Sequence, residues 1–383
     1  MTRMVRITIA VGIVVLQAAT LMARPRPRVV TVDCDRRGSI RSALEAATTP
    51  VTIEFRGTCN ESVVIADDDV TLRGIIGANA AIVAAGSKGI EVIGAHRVTL
   101  ENFRVTNTEG IGIHVRDGSH VMFDSIEVSG NALSGLLLEA SSARLWNSTF
   151  SDNGVDGISA WNQSMVTLLG NIEASRNGRA GILLSTAALT NDYRYFHGAR
   201  IDGNRMGIAL QFGANVFIQT AAATIELDGN RDDTVSLYDG CSFIGPLTIR
   251  GSSAGLWVRN SVFQSNSMRV NGAGIGVYGD LGSSLTLGGL DITGNDSGII
   301  LYAAKLQLFD GSLTGNPSGD LTIRFGSHVD IFDLIPGTVA CDGSVHTLGG
   351  VTCPSTARTT RTLSKNAVSQ EQRAPRTPLP MFE

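Results

Sequence analysis

The chain has 383 residues, 43% of them hydrophobic and 17% charged, which excludes a disordered polymer and leaves room for one large domain or two medium ones. Its 44 glycines follow no Gly-X-Y period, which excludes collagen, and they argue against a mostly helical protein, where each interior Gly costs about 1 kcal/mol. The net charge is −4, the only lysines are Lys88, Lys305 and Lys365, and no basic block occurs, so nucleic acid is not an expected partner.

Arg3 and Arg6, an apolar run from Ile7 to Leu16 and small residues up to Ala23 predict a signal peptide over 1–23. The cut falls after Ala23 or after Ala19, with an uncleaved anchor as the alternative. The apolar run is too short to span a bilayer. The expected location is secreted or periplasmic, with no membrane span once the leader is removed. In that setting cysteines read as disulfide candidates. Cys34 with Cys59 and Cys341 with Cys353 flank short units near the two ends and pair as staples, while Cys241 is left as a buried free thiol.

Residues 24–50 form an N-terminal segment, and residues 51–335 carry a repeat. An apolar residue stands three places before an Asn in Val128-Ser-Gly-Asn131, Phe150-Ser-Asp-Asn153, Ala174-Ser-Arg-Asn177, Ile201-Asp-Gly-Asn204, Leu227-Asp-Gly-Asn230, Phe263-Gln-Ser-Asn266, Ile292-Thr-Gly-Asn295 and Leu313-Thr-Gly-Asn316. Val105-Thr-Asn107 opens the series. Successive spacings are 24, 22, 24, 27, 26, 36, 29 and 21 residues, about half of a propeller blade. Most of these Asn residues are followed by Gly and an alternating apolar pair, as in Gly157-Ile-Ser-Ala160 and Gly181-Ile-Leu-Leu184. Each repeat therefore holds two or three short strands, none able to bury its own apolar side. Stacking successive repeats about 4.8 Å apart solves this, with Ile158, Ala160, Ile182, Leu184, Ile208 and Leu210 pointing inward. The Asn amides then bond from coil to coil. Residues 336–356 form a segment closed by the second disulfide. Residues 357–383, rich in Arg, Ser, Thr and Pro, form a disordered tail.

The Asn-turn repeat resembles the right-handed parallel β-helix of the pectin-lyase-like superfamily. Ser39 to Ala47, followed by Val51 to Ile65, is similar to that family's entry, a capping helix leading into the first coil. Ile40, Ala43, Leu44 and Ala47 share one face of that helix. The resemblance implies an all-β, single-stranded solenoid of roughly a dozen coils.

In-register stacking turns outward positions into columns. One runs through Arg116, Glu139, Trp161, Ser185, Gln211 and Tyr302, where an indole beside a guanidinium and a carboxylate suits a sugar face and its hydroxyls; the alternative is plain surface decoration. Beside it run His114, Leu137, Ser159, Leu183, Ala209 and Ile300, a stripe suggesting cover by a loop or strand propensity alone. A second column, Arg104, Glu127, Thr149, Glu173, Arg200, Glu226, Val262, Asp291 and Ser312, reads as structural charge alternation. Asn191 to His197, in a lengthened repeat, offers Tyr193 and Tyr195 as sugar contacts and Arg194 and His197 as candidate catalytic groups for a uronate; the other reading is an outward aromatic strand.

The resemblance also implies motifs that this chain lacks. Asn107-Thr-Glu109 only partly echoes the polygalacturonase Asn-Thr-Asp, Asp232-Asp233 has no placed partner, and Gly-His-Gly and Arg-Ile-Lys are missing. Asp67-Asp-Asp69 reads as a turn rather than a calcium loop. His96, His120, His328 and His346 stand singly, so no metal and no cofactor are expected. The function expected is a non-catalytic glycan-binding or envelope scaffold protein, with a polysaccharide or cell-surface glycan as partner. A lyase or epimerase acting on acidic polysaccharide is the alternative.

Overall fold

The computed structural model describes residues 27–84, 86–106, 109–219, 223–348 and 353, with backbone alone at 346–348. The leader, the tail and Asn107-Thr108 lie outside these. Strands coil through about 13 turns in three parallel sheets, close to the dozen expected. We name the sheets A, B and C in the order in which the coil Ile111–Arg116, His120–Asp124, Glu127–Ser129 visits them. Register holds coil after coil: Ile158 pairs with Ile182 and Ile182 with Ile208. All six side chains expected to point inward are buried, and they join one continuous apolar interior.

Turn chemistry fixes the corners. Between sheets C and A the buried Asn side chains form the expected ladder: Asn131 Nδ2 donates to Asn153 Oδ1 at 2.8 Å, Asn153 to Asn177 at 3.1 Å, Asn177 to Asn204 at 3.1 Å and Asn204 to Asn230 at 3.2 Å. One member was misassigned from the sequence. Asn266 is exposed and off the ladder. Asp228 pairs with Arg250 and Ser252 with Ala273, so Ser252 and Ala273 occupy the ladder positions and the interval of 36 residues disappears. The ladder resumes at Asn295, whose amide donates to Asn316 at 3.2 Å, and ends where Asn316 donates to Asp320 at 2.8 Å. Burial pushes the Asp320 carboxyl up, but the hydrogen bonds from Asn316 and Thr338 outweigh it and hold the group below its ordinary range.

A second ladder, at the turn from A to B, was not read from the sequence. The backbone N–H of Ala95, Ser119 and Ser141 donates to the hydroxyl of Ser119, Ser141 and Ser164 in the next coil, each at 3.2 Å. Cys241 stands in this column. Its N–H donates to Ser261 Oγ at 3.2 Å, and its thiol donates to Tyr238 O just as Ser164 Oγ donates to Trp161 O. The thiol is therefore a serine substitute, and burial pushes its pKa up to about 11. The same turn holds residues at positive φ coil after coil, including Asn162 at 54°, Thr186 at 48° and Phe212 at 55°, conformations that side chains other than Gly and Asn adopt at a cost.

The ends are closed as expected. A helix over Ile40–Ala46 covers the first coil with the buried Ile40, and Glu61 accepts from Ile40 N at 2.6 Å and Ser39 Oγ at 2.8 Å. Cys34 bonds Cys59 and Cys341 bonds Cys353, with Cα separations of 5.0 and 5.5 Å, within disulfide range. No helix among the described residues is long and apolar enough to cross a membrane.

Candidate functional site on the outer face of sheet A

The short strands of sheet A alternate, so two residues per coil face away from the interior and stack into the expected columns. Glu139 pairs with Trp161, Trp161 with Ser185 and Ser185 with Gln211. The column also runs through the coils between Gln211 and the expected Tyr302 and one coil past it, since Tyr238 pairs with Arg259, Arg259 with Asp280, Asp280 with Tyr302 and Tyr302 with Arg324. The stripe beside it gains Ser236, Trp257 and Tyr278. Tyr238, Arg259, Asp280 and the added stripe residues were missed because their coils lack the marker of the earlier ones: Thr234 replaces the opening Gly, and Ser252 and Ala273 replace the Asn.

Along the rod the face has three zones. Nearest the N-terminal end lies a charged cluster. His114 Nε2 is 2.8 Å from Glu139 Oε2, its Nδ1 is 3.6 Å from Glu91, and Arg116 Nε donates to Glu91 at 2.9 Å. Burial lowers the His114 pKa more than its Glu139 bond raises it. Burial raises Glu91, but bonds from Lys88 and Arg116 outweigh it and leave the carboxyl below its usual range. Arg116 and Glu139 are thus engaged within the face rather than projecting from it.

The middle zone is apolar. Trp161 is half-buried and packs on Ala180, Leu183, Met206 and Ala209. The expectation of a fully outward indole is corrected: the flat sheet lets Trp161 lie along its neighbours. Asp156, fully buried beside this zone, receives Arg179 Nη2 at 2.6 Å and Nε at 2.8 Å, a bidentate pair.

The third zone is aromatic and acidic. Trp257 and Tyr278 rings lie 4.2 Å apart, Tyr278 and Tyr302 5.6 Å, and Tyr302 and Phe325 5.4 Å. Arg324 lies 5.8 Å from the Tyr302 ring centroid. Tyr238 Oη is 3.5 Å from Asp233 Oδ2. Burial pushes the Asp280 carboxyl up to about 6, against the pull of Arg259.

The insert of the lengthened repeat lies elsewhere. Leu168 pairs with Asn191 and Gly170 with Phe196, so the residues between protrude at the corner from sheet B to sheet C. A whole strand of sheet B separates them from Trp161. Tyr193 is 62% exposed, and the Tyr195 ring packs at a tilt against Trp146, with centroids 5.5 Å apart. Arg194 donates to Asp192 at 2.8 and 3.0 Å and lies 5.3 Å over Tyr195. His197 is exposed. The structure therefore does not bring the insert and the Trp161 column into one groove. At the same corner, further along, an open cleft of about 610 Å³ is lined by Ile244, Pro246 and Phe309.

The remaining candidates are structural. Asp68 and Asp69 pair with Arg97, and Asp232 pairs with Arg205 at 2.8 Å. Register corrects the charge column as well, where Thr248 and Arg269 stand between Glu226 and Asp291 in place of Val262. Among the described residues no group of three or more His, Cys, Asp or Glu side chains is placed to hold a metal.

The family model described as a right-handed β-helix region matches residues 47–192 and 88–245. Together these span 47–245, or 199 of the 383 residues. The chain belongs to the right-handed β-helix family. Solved structures similar to it include the A-module of a mannuronan C-5 epimerase from Azotobacter vinelandii, at 13% identity over 84% of this chain and 100% of that one, with a TM-score of 0.44. A pectin methylesterase bound to a hexasaccharide matches at 12% identity over 64% and 80%, with a TM-score of 0.35. A capsular polysaccharide depolymerase tailspike of the Acinetobacter baumannii bacteriophage Fri1 matches at 13% over 91% and 65%, with a TM-score of 0.33. No curated protein matches the chain.

Proposed function

We propose that this β-helix is an exported glycan-binding protein whose platform is the outer face of sheet A. The observation that carries this reading is the aromatic zone: Trp257 and Tyr278 pair in register and Tyr302 adjoins them from the neighbouring column, all half-buried, with Arg259, Asp280 and Arg324 beside them. Ring faces take the apolar side of a pyranose, while guanidinium and carboxylate groups bond its hydroxyls or an acidic substituent. A saccharide chain lying along the rod meets this pattern coil after coil. Two disulfides suit an oxidising, exported setting.

One observation favours the alternative, an epimerase or lyase on acidic polysaccharide. A carboxyl with a pKa near 6 is poised for proton transfer close to neutral pH, and Asp280 has such a pKa between Arg259 and Tyr302 in the column. In that reading Asp280 moves the proton, and an arginine neutralises the uronate carboxylate.

A panel of uronate and neutral polysaccharides, assayed for binding and for unsaturated product, separates the two. Binding that Trp257→Ala weakens, with no product, supports the binding protein. Product formation abolished by Asp280→Asn supports the enzyme. A panel that gives neither binding nor product refutes both.

A further inference from the structure

We propose that two copies of this chain pair through the outer face of sheet B in an antiparallel two-fold dimer, the insert of each copy seated in the corner cleft of the other. The pairing is independent of the glycan reading and leaves sheet A free.

Apolar surface is concentrated on this side of the rod. From Met165 to Phe332, the large hydrophobic side chains that stand exposed among the described residues all lie on sheet B or at one of its two corners, with Phe217 42% and Ile244 36% exposed in the middle. Over the same coils the outer face of sheet C is charged instead, with Arg200, Glu226, Arg269 and Asp291 in register. An apolar face of this extent marks an interaction surface.

Register makes the face complementary to itself. One outward column leads from Arg144 through Thr190 to Ile244 in four coil steps, and from Ile244 through Thr286 to Asp330 in four more. A two-fold axis lying in the plane of the face, along the strand at Ile244, sets Ile244 against its own copy and Arg144 against Asp330 of the second copy, twice. The same rotation carries the insert, which protrudes in the coil of Thr190, to the coil of Thr286 on the same corner. There the second copy has its open cleft of about 610 Å³, with Thr286 and Gly288 in its lining. Phe309, stacked on Phe332 with centroids 4.8 Å apart, gives the exposed Tyr193 ring a wall, and Asp310 faces the guanidinium of Arg194. A protrusion and a hollow placed equally far on either side of one point are what an isologous contact needs, since each surface must fit itself.

Charge selects the antiparallel arrangement. The coils of Arg144 to Thr190 present Arg144 and Arg194 against Asp192 on this side, a net of 2 − 1 = +1, and those of Gln307 and Asp330 present Lys305 against Asp310, Asp330 and Asp333, a net of 1 − 3 = −2. Antiparallel rods set each end against the opposite sign, whereas parallel rods set like on like. Eight coil steps span about 40 Å, and a strand of sheet B with its corner residues about 20 Å, so each copy buries about 800 Å², the usual share of a stable interface.

The test uses the full chain carrying Cys241→Ser, which is expected to sediment as a dimer. Oxidation of the Ile244→Cys variant is expected to give a covalent dimer, because the axis brings position 244 to its own copy. The Arg144→Cys and Asp330→Cys variants are expected to link only when mixed with each other, and Arg269→Cys, on sheet C, to stay unlinked. Arg144→Asp or Asp330→Arg alone is expected to raise the dimer dissociation constant about tenfold, and the two together to restore it. An unchanged unfolding midpoint shows that each variant folds, and the linked pairs at 244 and at 144 with 330 test the geometry separately. A chain that stays monomeric at about 100 μM overturns the proposal, since a stable interface of this size associates well below that. A dimer that Ile244→Cys does not capture, or one in which Arg144→Cys links to itself, overturns it as well.

Discussion

Asn177→Ala tests whether the ladder holds the coils together. Asn177 is 1% exposed, and its Oδ1 accepts from Asn153 N at 3.0 Å and Asn153 Nδ2 at 3.1 Å. Its Nδ2 donates to Phe150 O and Asn204 Oδ1, both at 3.1 Å. Alanine deletes all four contacts and strands one buried donor, the Asn153 N–H, because Asn153 Nδ2 keeps Val128 O and Ser151 O, both at 3.2 Å. An unsatisfied buried group costs about 1 to 3 kcal/mol, and that is the expected loss. Asn204 Oδ1 keeps the bond from Asn177 N at 2.8 Å, which places the estimate toward the lower half. The assay is the guanidinium unfolding midpoint, read together with hydrogen exchange at the Asn153 amide, because solenoids can open locally before they unfold globally. Asn266→Ala is the matched control, an Asn in the same sequence motif that register places on the surface, and it should shift stability by less than about 0.5 kcal/mol. Equal effects from the two substitutions would refute the ladder argument.

The Cys241 thiol, buried and with its pKa pushed up to about 11, should resist alkylation at pH 8 until the chain unfolds, and Cys241→Ser should keep stability within about 1 kcal/mol because its column is built from serines. Asp280 has its folded pKa raised to about 6 by burial, so its stabilising contribution is full below its ordinary pKa of 3.8 and is lost as pH rises through 6. Comparing urea midpoints of the native chain and Asp280→Asn from pH 4 to pH 7 should show the variant gaining relative stability across that window, and parallel curves would count against it. Trp257→Ala should weaken glycan binding by roughly 1 to 3 kcal/mol in calorimetry, whereas Tyr195→Ala, on the other corner, should leave it unchanged.

The fold was legible because two of its requirements admit few residue types. A buried turn that must satisfy its own backbone and reach the next coil takes Asn, so the period stood out at Asn131, Asn153, Asn177 and Asn204. The same reasoning misled at Asn266, where a local match to the motif carried no information about register. Serine at 119, 141 and 164 repeats with the same period and was open to the same search, but a hydroxyl is common enough on surfaces that the pattern did not separate itself. The columns of sheet A were readable as far as Gln211 and again at Ile300 and Tyr302, but were lost between, since Ser252 and Ala273 fill the Asn positions without resembling Asn. Pairings across coils were opaque: nothing in the sequence near His114 announces that Glu91 and Glu139 lie on either side of it.

This asymmetry bears on where chemistry can reside. Inward positions are restricted to apolar side chains of matched volume, and the two turn columns to groups that close a hydrogen bond with the next coil. Neither can change freely without leaving a void or an unpaired donor. The outward positions of sheet A have no such requirement from the coil itself, yet they hold bulky or ionisable groups at Trp161, Tyr238, Trp257 and Asp280. A scaffold whose outer face met only water would keep little reason to bury a carboxyl there with an unpartnered oxygen, because the desolvation weakens the fold at neutral pH. The cost makes sense if something that supplies donors comes to lie on the face, and a glycan, with its hydroxyls, does.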